Sequence, residues 1–184
     1  LLLGLVRQAD VLLENFAPGA MERLGLGAET LMAANPRLVY ASGTGYGLSG
    51  PARDNLAMDL TVQAVGGVMS VNGPADGPPL KTGLAICDFV GGVHLYGGIM
   101  TALFERSVTG RGRVVEVAMQ EALSIAQETA MQNYDIREFT LQRLGEASQV
   151  NPMNLPGFGL YECAEGMVYL MTTGTPGACL FETT

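Results

Sequence analysis

"ADVLLENFAPGAMERLGLGAETLMAANPRLVYASGTGYG", residues 9 to 47, decides the fold. "ADVLLENF" (9–16) is an apolar run closed by the turn "APG", and "AMERLGL" (20–26) has the makeup of a short helix. "ETLMAANP" (29–36) reads as a helix that ends at Asn35-Pro36, because proline cannot continue it. "RLVYASGTGYG" (37–47) is a second apolar run that opens into glycines. Short apolar runs bounded by turn residues suit buried strands. Two of them joined through helical segments imply a parallel sheet in an α/β protein.

The same alternation extends outward. Residues 45–57 form a polar loop, "MDLTVQAVGGVMSV" (58–71) has helical spacing, and "NGPADGPPL" (72–80) is rich in turn residues. "GGVHLYGGIMTALFER" (91–106) is apolar nearly all round, which predicts a buried helix over 89–106. "TGRGR" is a turn with solvated arginines and "VVEVAM" (114–119) a strand. "QEALSIAQETAMQNYDI" (120–136) reads as one helix with Ala122, Ile125, Ala126 and Thr129 on one face. "GLYECAEGMVYLM" (159–171) reads as a hairpin turning at "AEG", and residues 143–157 are the best linker. The pattern divides the chain into a large domain over 1–142, that linker, and the start of a smaller α+β domain over 158–184.

Composition limits what the chain can do. Of its 184 residues 48% are hydrophobic and only 15% charged, so some apolar surface is expected to meet another segment or subunit. The start "LLLGLVRQADVLL" and the end "TPGACLFETT" both look cut, which suggests part of a larger protein. A net charge of −8 and a single lysine, Lys81, argue against nucleic acid. Cys87, Cys163 and Cys179 lack metal-ligand spacing and read as reduced thiols, which implies a cytoplasmic protein with no metal. No uncharged apolar run reaches the ~18 residues of a membrane span, so a soluble protein without membrane contact is expected.

The chemistry centres on "GLAICDFVGG" (83–92), which places one carboxylate, Asp88, between apolar residues and paired glycines. A carboxylate there is either the N-cap of the helix that follows or a working group. The two roles are compatible, since a helix N-terminus holds a carboxylate in its charged, nucleophilic form. The single histidine, His94, lies further along that helix and fits a core residue as well as a base. The glycines of "GTGYGLSG" (43–50) match no phosphate-loop pattern.

Five segments in order, "ADVLLENFAPGAMERLGLG", "NPRLVYASGTGYGLSGP", "DGPP", the D-F-V-G-G stretch and "ALFERSVTGRGRVVEVAMQEAL", resemble the class III CoA-transferases, the CaiB/BaiF or formyl-CoA transferase family. The resemblance runs over roughly residues 7 to 171. It implies a Rossmann-like CoA-binding domain, coenzyme A as an acyl-CoA substrate, a small carboxylic acid as partner, and an interlocked homodimer. It also assigns roles. Asp88 falls where the family has its nucleophilic aspartate, which passes through an aspartyl anhydride and an aspartyl-CoA thioester. Asp59 matches an acid that orients the acceptor or tunes that aspartate. Asn15, Phe16 and Arg23 match CoA contacts, Met58 sits in the same cofactor site, and the N–H groups around Gly91 and Gly92 are candidates to stabilise developing charge.

Two alternatives stand beside this reading. The family also contains α-methylacyl-CoA racemases, whose paired bases include a histidine just before the acid matched by Asp59. Met58 fills that place here, and a thioether cannot take a proton near neutral pH. The other alternative is an inactive, incomplete α/β segment.

Overall fold

The computed structural model describes residues 1–137, 140, 143, 158–171 and 179–183. Strands β1 (Val11–Glu14), β2 (Val39–Thr44) and β3 (Val114–Ala118) lie in the order β1-β2-β3, all parallel, as the alternation in the sequence predicts. The register pairs Leu12 with Tyr40 and Tyr40 with Val114, then Glu14 with Ser42 and Ser42 with Glu116. Side chains alternate faces along a strand, so Tyr40, Ser42 and the two glutamates share one face while Ala41, Gly43 and Val115 share the other.

Helices cover both faces. On the Tyr40 side, α1 (Leu2–Val6), α2 (Ala20–Arg23) and α3 (Ala28–Ala34) contribute Val6, Met21 and Leu31 to a core with Leu38 and Tyr40. On the other side runs α5 (Ile86–Thr109), where a side chain on Gly43 would touch Leu95 and one on Gly98 would press into Val115. α5 runs against the strand direction. Near its end Arg106 pairs with Asp10 just before β1 (2.8 Å) and donates to the Arg37 carbonyl just before β2 (2.9 Å), whereas Leu95 sits over the far end of β2. The first two turns or so of α5 therefore stand beyond the carboxyl ends of the strands.

The apolar all-round reading of α5 needs correction. Its buried residues are Cys87, Gly91, Leu95 and Ala102, a single stripe, while Phe89, Val93, Tyr96, Met100, Phe104 and Val108 are exposed. One sheet and its neighbours can cover only one side of a helix. By length and composition α5 could cross a membrane; it packs one stripe on β2, β3, α4 (Asp59–Val65) and α6 (Met119–Ile125).

Two expected helices are each broken in two. Over 58–71, α4 stops and a 3₁₀ turn (Val68–Val71) follows, because Gly67 takes a left-handed φ of 87°. Over 120–136, α6 stops at Ile125 and α7 (Glu128–Arg137) starts afresh; between them the Gln127 N–H donates to the Ser124 carbonyl and its side-chain amide to the Gly66 carbonyl. The expected common face is lost with it: Ala122 is buried, but Ile125 and Ala126 are exposed. Val62, Cys87 and Leu123 form a second core where α4, α5 and α6 meet.

β4 (Phe158–Cys163) and β5 (Gly166–Met171) form the expected hairpin, with Cys163 opposite Gly166. β6 (Cys179–Thr183) adds an antiparallel third strand that the sequence reading did not anticipate. Apart from Arg143, whose guanidinium donates to the Gly77 carbonyl (3.0 Å), the expected linker lies outside the described residues.

Candidate active site

The first N–H groups of any helix need partners, and Ala85, the N-cap of α5, has no side chain to supply one. The acceptor comes from 28 residues away. Asp59, first residue of α4, accepts at Oδ1 from the Cys87 N–H (2.8 Å) and, more weakly, the Asp88 N–H (3.4 Å). Its Oδ2 accepts from Nε2 of Gln63, one turn along α4 (2.7 Å). Gln63 is wholly buried. Its Nε2 also reaches the Leu84 carbonyl (3.3 Å), and its Oε1 accepts from Thr82 N–H (2.9 Å); Thr82 Oγ1 lies 3.3 Å from Oε1 and donates at shorter range to the Leu84 carbonyl (2.8 Å).

Asp88 is therefore not the cap. It is the third residue of α5, exposed, and its carboxylate accepts no hydrogen bond from the described residues. Position in the first turn still places the anion at the positive end of the helix dipole. One turn on, at Gly92, an added Cβ would meet nothing within 4 Å, so the space beside the carboxylate is open. Parallel α/β sheets bind ligands outside the carboxyl ends of their strands, and that is where this end of α5 stands.

The other expected roles sort differently. Gly91 and Gly92 lie inside α5, where their N–H groups turn to the carbonyls four residues back. A charge-stabilising role for those N–H groups does not fit this arrangement. Gly91 is small for packing: a Cβ there would come within 3.1 Å of Met119 Cγ. His94 is exposed, with Nδ1 on the Val90 carbonyl (2.8 Å), and at six residues from Asp88 it points about 120° away around the helix. Cys87, beside the nucleophile candidate, is fully buried; burial, and then the charges of Asp59 and Asp88, push its thiol up to about 11. A thiol so held stays protonated and does not compete as a nucleophile.

Asn15, Phe16 and Arg23 follow β1 on the same carboxyl edge, all exposed. Phe16 N–H donates to Glu14 Oε2 (2.9 Å), and Glu14 in turn takes the Ser42 hydroxyl. Burial first, then Glu14 and Glu22, push the Tyr40 phenol up to about 12. Arg23 lies across Gly19 and donates to the Pro18 carbonyl (3.2 Å). Met58 is the N-cap of α4 and 73% exposed, its N–H held by Thr61 Oγ1 (2.9 Å). Among the described residues no hydrogen bond joins the Asn15 group to the Asp59–Asp88 group, although both lie on one edge of the sheet.

Sequence reasoning missed Gln63, Thr82 and Glu116. The signal was present for two of them. Gln63 is an amide in the core stripe of "LTVQAV", and Glu116 is a lone charge in the strand "VVEVA". Glu116 accepts the Leu48 N–H and so anchors the glycine-rich loop; that loop packs so tightly that any Cβ on Gly45 would collide with Ala57.

Fold and site together define a parallel α/β protein with an exposed aspartate at a helix start on the strand carboxyl edge. The chain belongs to CoA-transferase family III, whose profile matches residues 1–179. It is 48% identical over 123 residues to the formyl-CoA:oxalate CoA-transferase of Streptomyces avermitilis, covering 67% of this chain and 30% of that protein. It is 34% identical over 166 residues to the succinate–glutarate CoA-transferase of Agrobacterium fabrum, covering 90% of this chain and 40% of that one. The crystal structure of a CaiB/BaiF family protein from Brucella suis superimposes with a TM-score of 0.79 at 32% identity, over 92% of this chain and 44% of that one. The chain thus spans 30% to 40% of the length of these two curated relatives.

Proposed function

We propose that the complete protein is a CoA-transferase that moves CoA from an acyl-CoA to a free carboxylic acid, with Asp88 as its nucleophile. One observation carries this reading: Asp59 caps α5, and the Asp88 carboxylate is exposed, accepts no hydrogen bond from the described residues and stands beside the open space at Gly92. An oxygen of Asp88 attacks the thioester carbonyl and the C–S bond breaks, giving a mixed anhydride and CoA thiolate. The thiolate then adds to the Asp88 carbonyl, and the donor acid leaves as its carboxylate. An acceptor carboxylate repeats both steps in reverse, which returns Asp88 and releases the new thioester. No proton is transferred at any stage. The chemistry therefore needs no base beside Asp88, in keeping with His94 facing away and a buried Cys87 thiol.

Asn15, Phe16 and Arg23 are the groups on this edge for CoA, Phe16 with an exposed ring and Arg23 with a guanidinium for a phosphate. The substrates in the relatives' names, formyl-CoA, oxalate, succinate and glutarate, are all small acids or their thioesters, which supports a small carboxylate as acceptor. The test is trapping. Hydroxylamine added to the complete protein with a competent acyl-CoA should yield a hydroxamate at Asp88, and Asp88→Asn should abolish both hydroxamate and transfer. Transfer at the wild-type rate in Asp88→Asn would end the proposal.

A further inference from the structure

We infer that Gln63 is a positioning residue for the nucleophile: with Asp59 it clamps the entry to α5 and so sets where the Asp88 carboxylate stands. The inference rests on the reading of Asp88 as nucleophile. A primary amide offers two N–H donors and two acceptor sites, and Gln63, buried on every side, donates to Asp59 and the Leu84 carbonyl and accepts the Thr82 N–H at Oε1, while the one Thr82 hydroxyl proton has the Leu84 carbonyl (2.8 Å) closer than Oε1 (3.3 Å). Its orientation has no freedom. The Thr82 N–H can only donate, so it must face Oε1; the Asp59 carboxylate accepts, so it must face Nε2.

The geometry shows what the amide is attached to. Thr82 and Leu84 lie within three residues before the α5 N-cap, and Cys87 and Asp88 are in its first turn. Gln63 holds the first pair directly and the second pair through Asp59. α5 is thus gripped on both sides of its start, by one side chain and the carboxylate hydrogen-bonded to it. A displacement of about 1 Å at a reacting group can cost about a hundredfold in rate, so such a clamp matters more to turnover than to binding. Phe16 and Arg23 are held by a different set of bonds, to Glu14 and to the Pro18 carbonyl.

The experiment uses the complete protein carrying Gln63→Leu or Gln63→Glu. Protonated, the new glutamic acid can donate to Asp59 Oδ2 and accept from Thr82, as the amide does; ionised, it sets two carboxylates against each other and drives Asp59 off the Cys87 N–H. The groups around it are Asp59 on α4, the Cys87 thiol and Asp88 on α5, and Lys81, whose Nζ sits on the Thr82 carbonyl (3.0 Å). Gln63→Glu should therefore match wild-type kcat at acidic pH and lose more than about tenfold as pH rises, with KM for acyl-CoA unchanged within about twofold. Gln63→Leu should lose about a hundredfold in kcat at every pH. In ¹⁵N-labelled protein the Cys87 and Asp88 amide signals should shift in Gln63→Leu and follow pH in Gln63→Glu, a readout that activity does not enter.

The fraction of protein that hydroxylamine can trap should stay constant while the trapping rate falls. If that fraction falls in step with the rate, lost folding explains the effect and the inference is overturned. If Gln63→Leu does not fold, Gln63→Glu, which keeps the volume, carries the test. Wild-type protein that yields no hydroxamate at Asp88 overturns the nucleophile reading; wild-type trapping rates and unmoved amides in the variants overturn only the role of Gln63.

Discussion

Replacing Asp59 tests whether α5 is capped from α4. In Asp59→Ala the Cys87 N–H loses its 2.8 Å acceptor, and Gln63 keeps only the Leu84 carbonyl for its Nε2. Hydrogen bonds to a charged group contribute about 1.5–3 kcal/mol, and a lost helix cap costs about 0.5–2 kcal/mol. These describe the same bonds in part, so we expect a net loss of about 2–4 kcal/mol. Asp59→Asn is the sharper probe. Its amide oxygen can still accept from Cys87, but its NH₂ then faces the Gln63 NH₂, and Gln63 cannot flip because Thr82 N–H holds its oxygen. The expected cost is intermediate, about 1–2 kcal/mol. Denaturant unfolding of the complete protein, with thermal melts in parallel, measures both. Asp59→Ala should lower Tm, by about 4–16 °C where the unit that melts has about 150–250 residues. Equal stability of wild type and Asp59→Ala, or Asp59→Asn no better than Asp59→Ala, would refute the capping argument.

Other expectations follow from the same geometry. Asp88→Asn should lose transfer activity yet change unfolding free energy by no more than about 1 kcal/mol, since only the dipole interaction goes; a larger loss would mean that Asp88 caps α5 after all. Burial raises the Cys87 thiol from an ordinary value of 9.0 to about 11, so the fold favours the neutral form. That contribution is complete below about pH 9 and fades between 9 and 11 as the unfolded chain ionises first, by on the order of 2 kcal/mol. Tyr40 titrates higher, toward 12, so the difference between wild type and Cys87→Ala isolates the thiol, and parallel curves for the two would contradict the burial. With Met58 in place of a base, 2-methylacyl-CoA should not exchange its α-hydrogen with deuterated water. Exchange at a rate near that of acyl transfer, detected by mass spectrometry, would bring the racemase reading back.

Much of this protein is legible from local order alone. Apolar runs closed by Pro, Gly and Asn specify strands and their ends, so β1, β2, β3 and the β4–β5 hairpin could be placed before any contact was known. The D-F-V-G-G stretch pointed to Asp88 because apolar neighbours on both sides suggested a buried carboxylate, which is costly unless it is partnered or used; in the fold Asp88 is exposed. What local pattern could not show was which carboxylate caps the helix. Asp88 has the right spacing for a cap, but Asp59 lies 28 residues away and reaches the N–H groups only because α4 packs against the start of α5. Hydrogen bonding is decided by atoms within about 3 Å, and sequence separation says nothing about that distance. Gln63 shows the same limit: its bonds go to Asp59, Thr82 and Leu84, segments brought together by tertiary packing. The exposed side of α5 shows the converse, since composition made the helix apolar all round and only the placement of one sheet decided which stripe was buried.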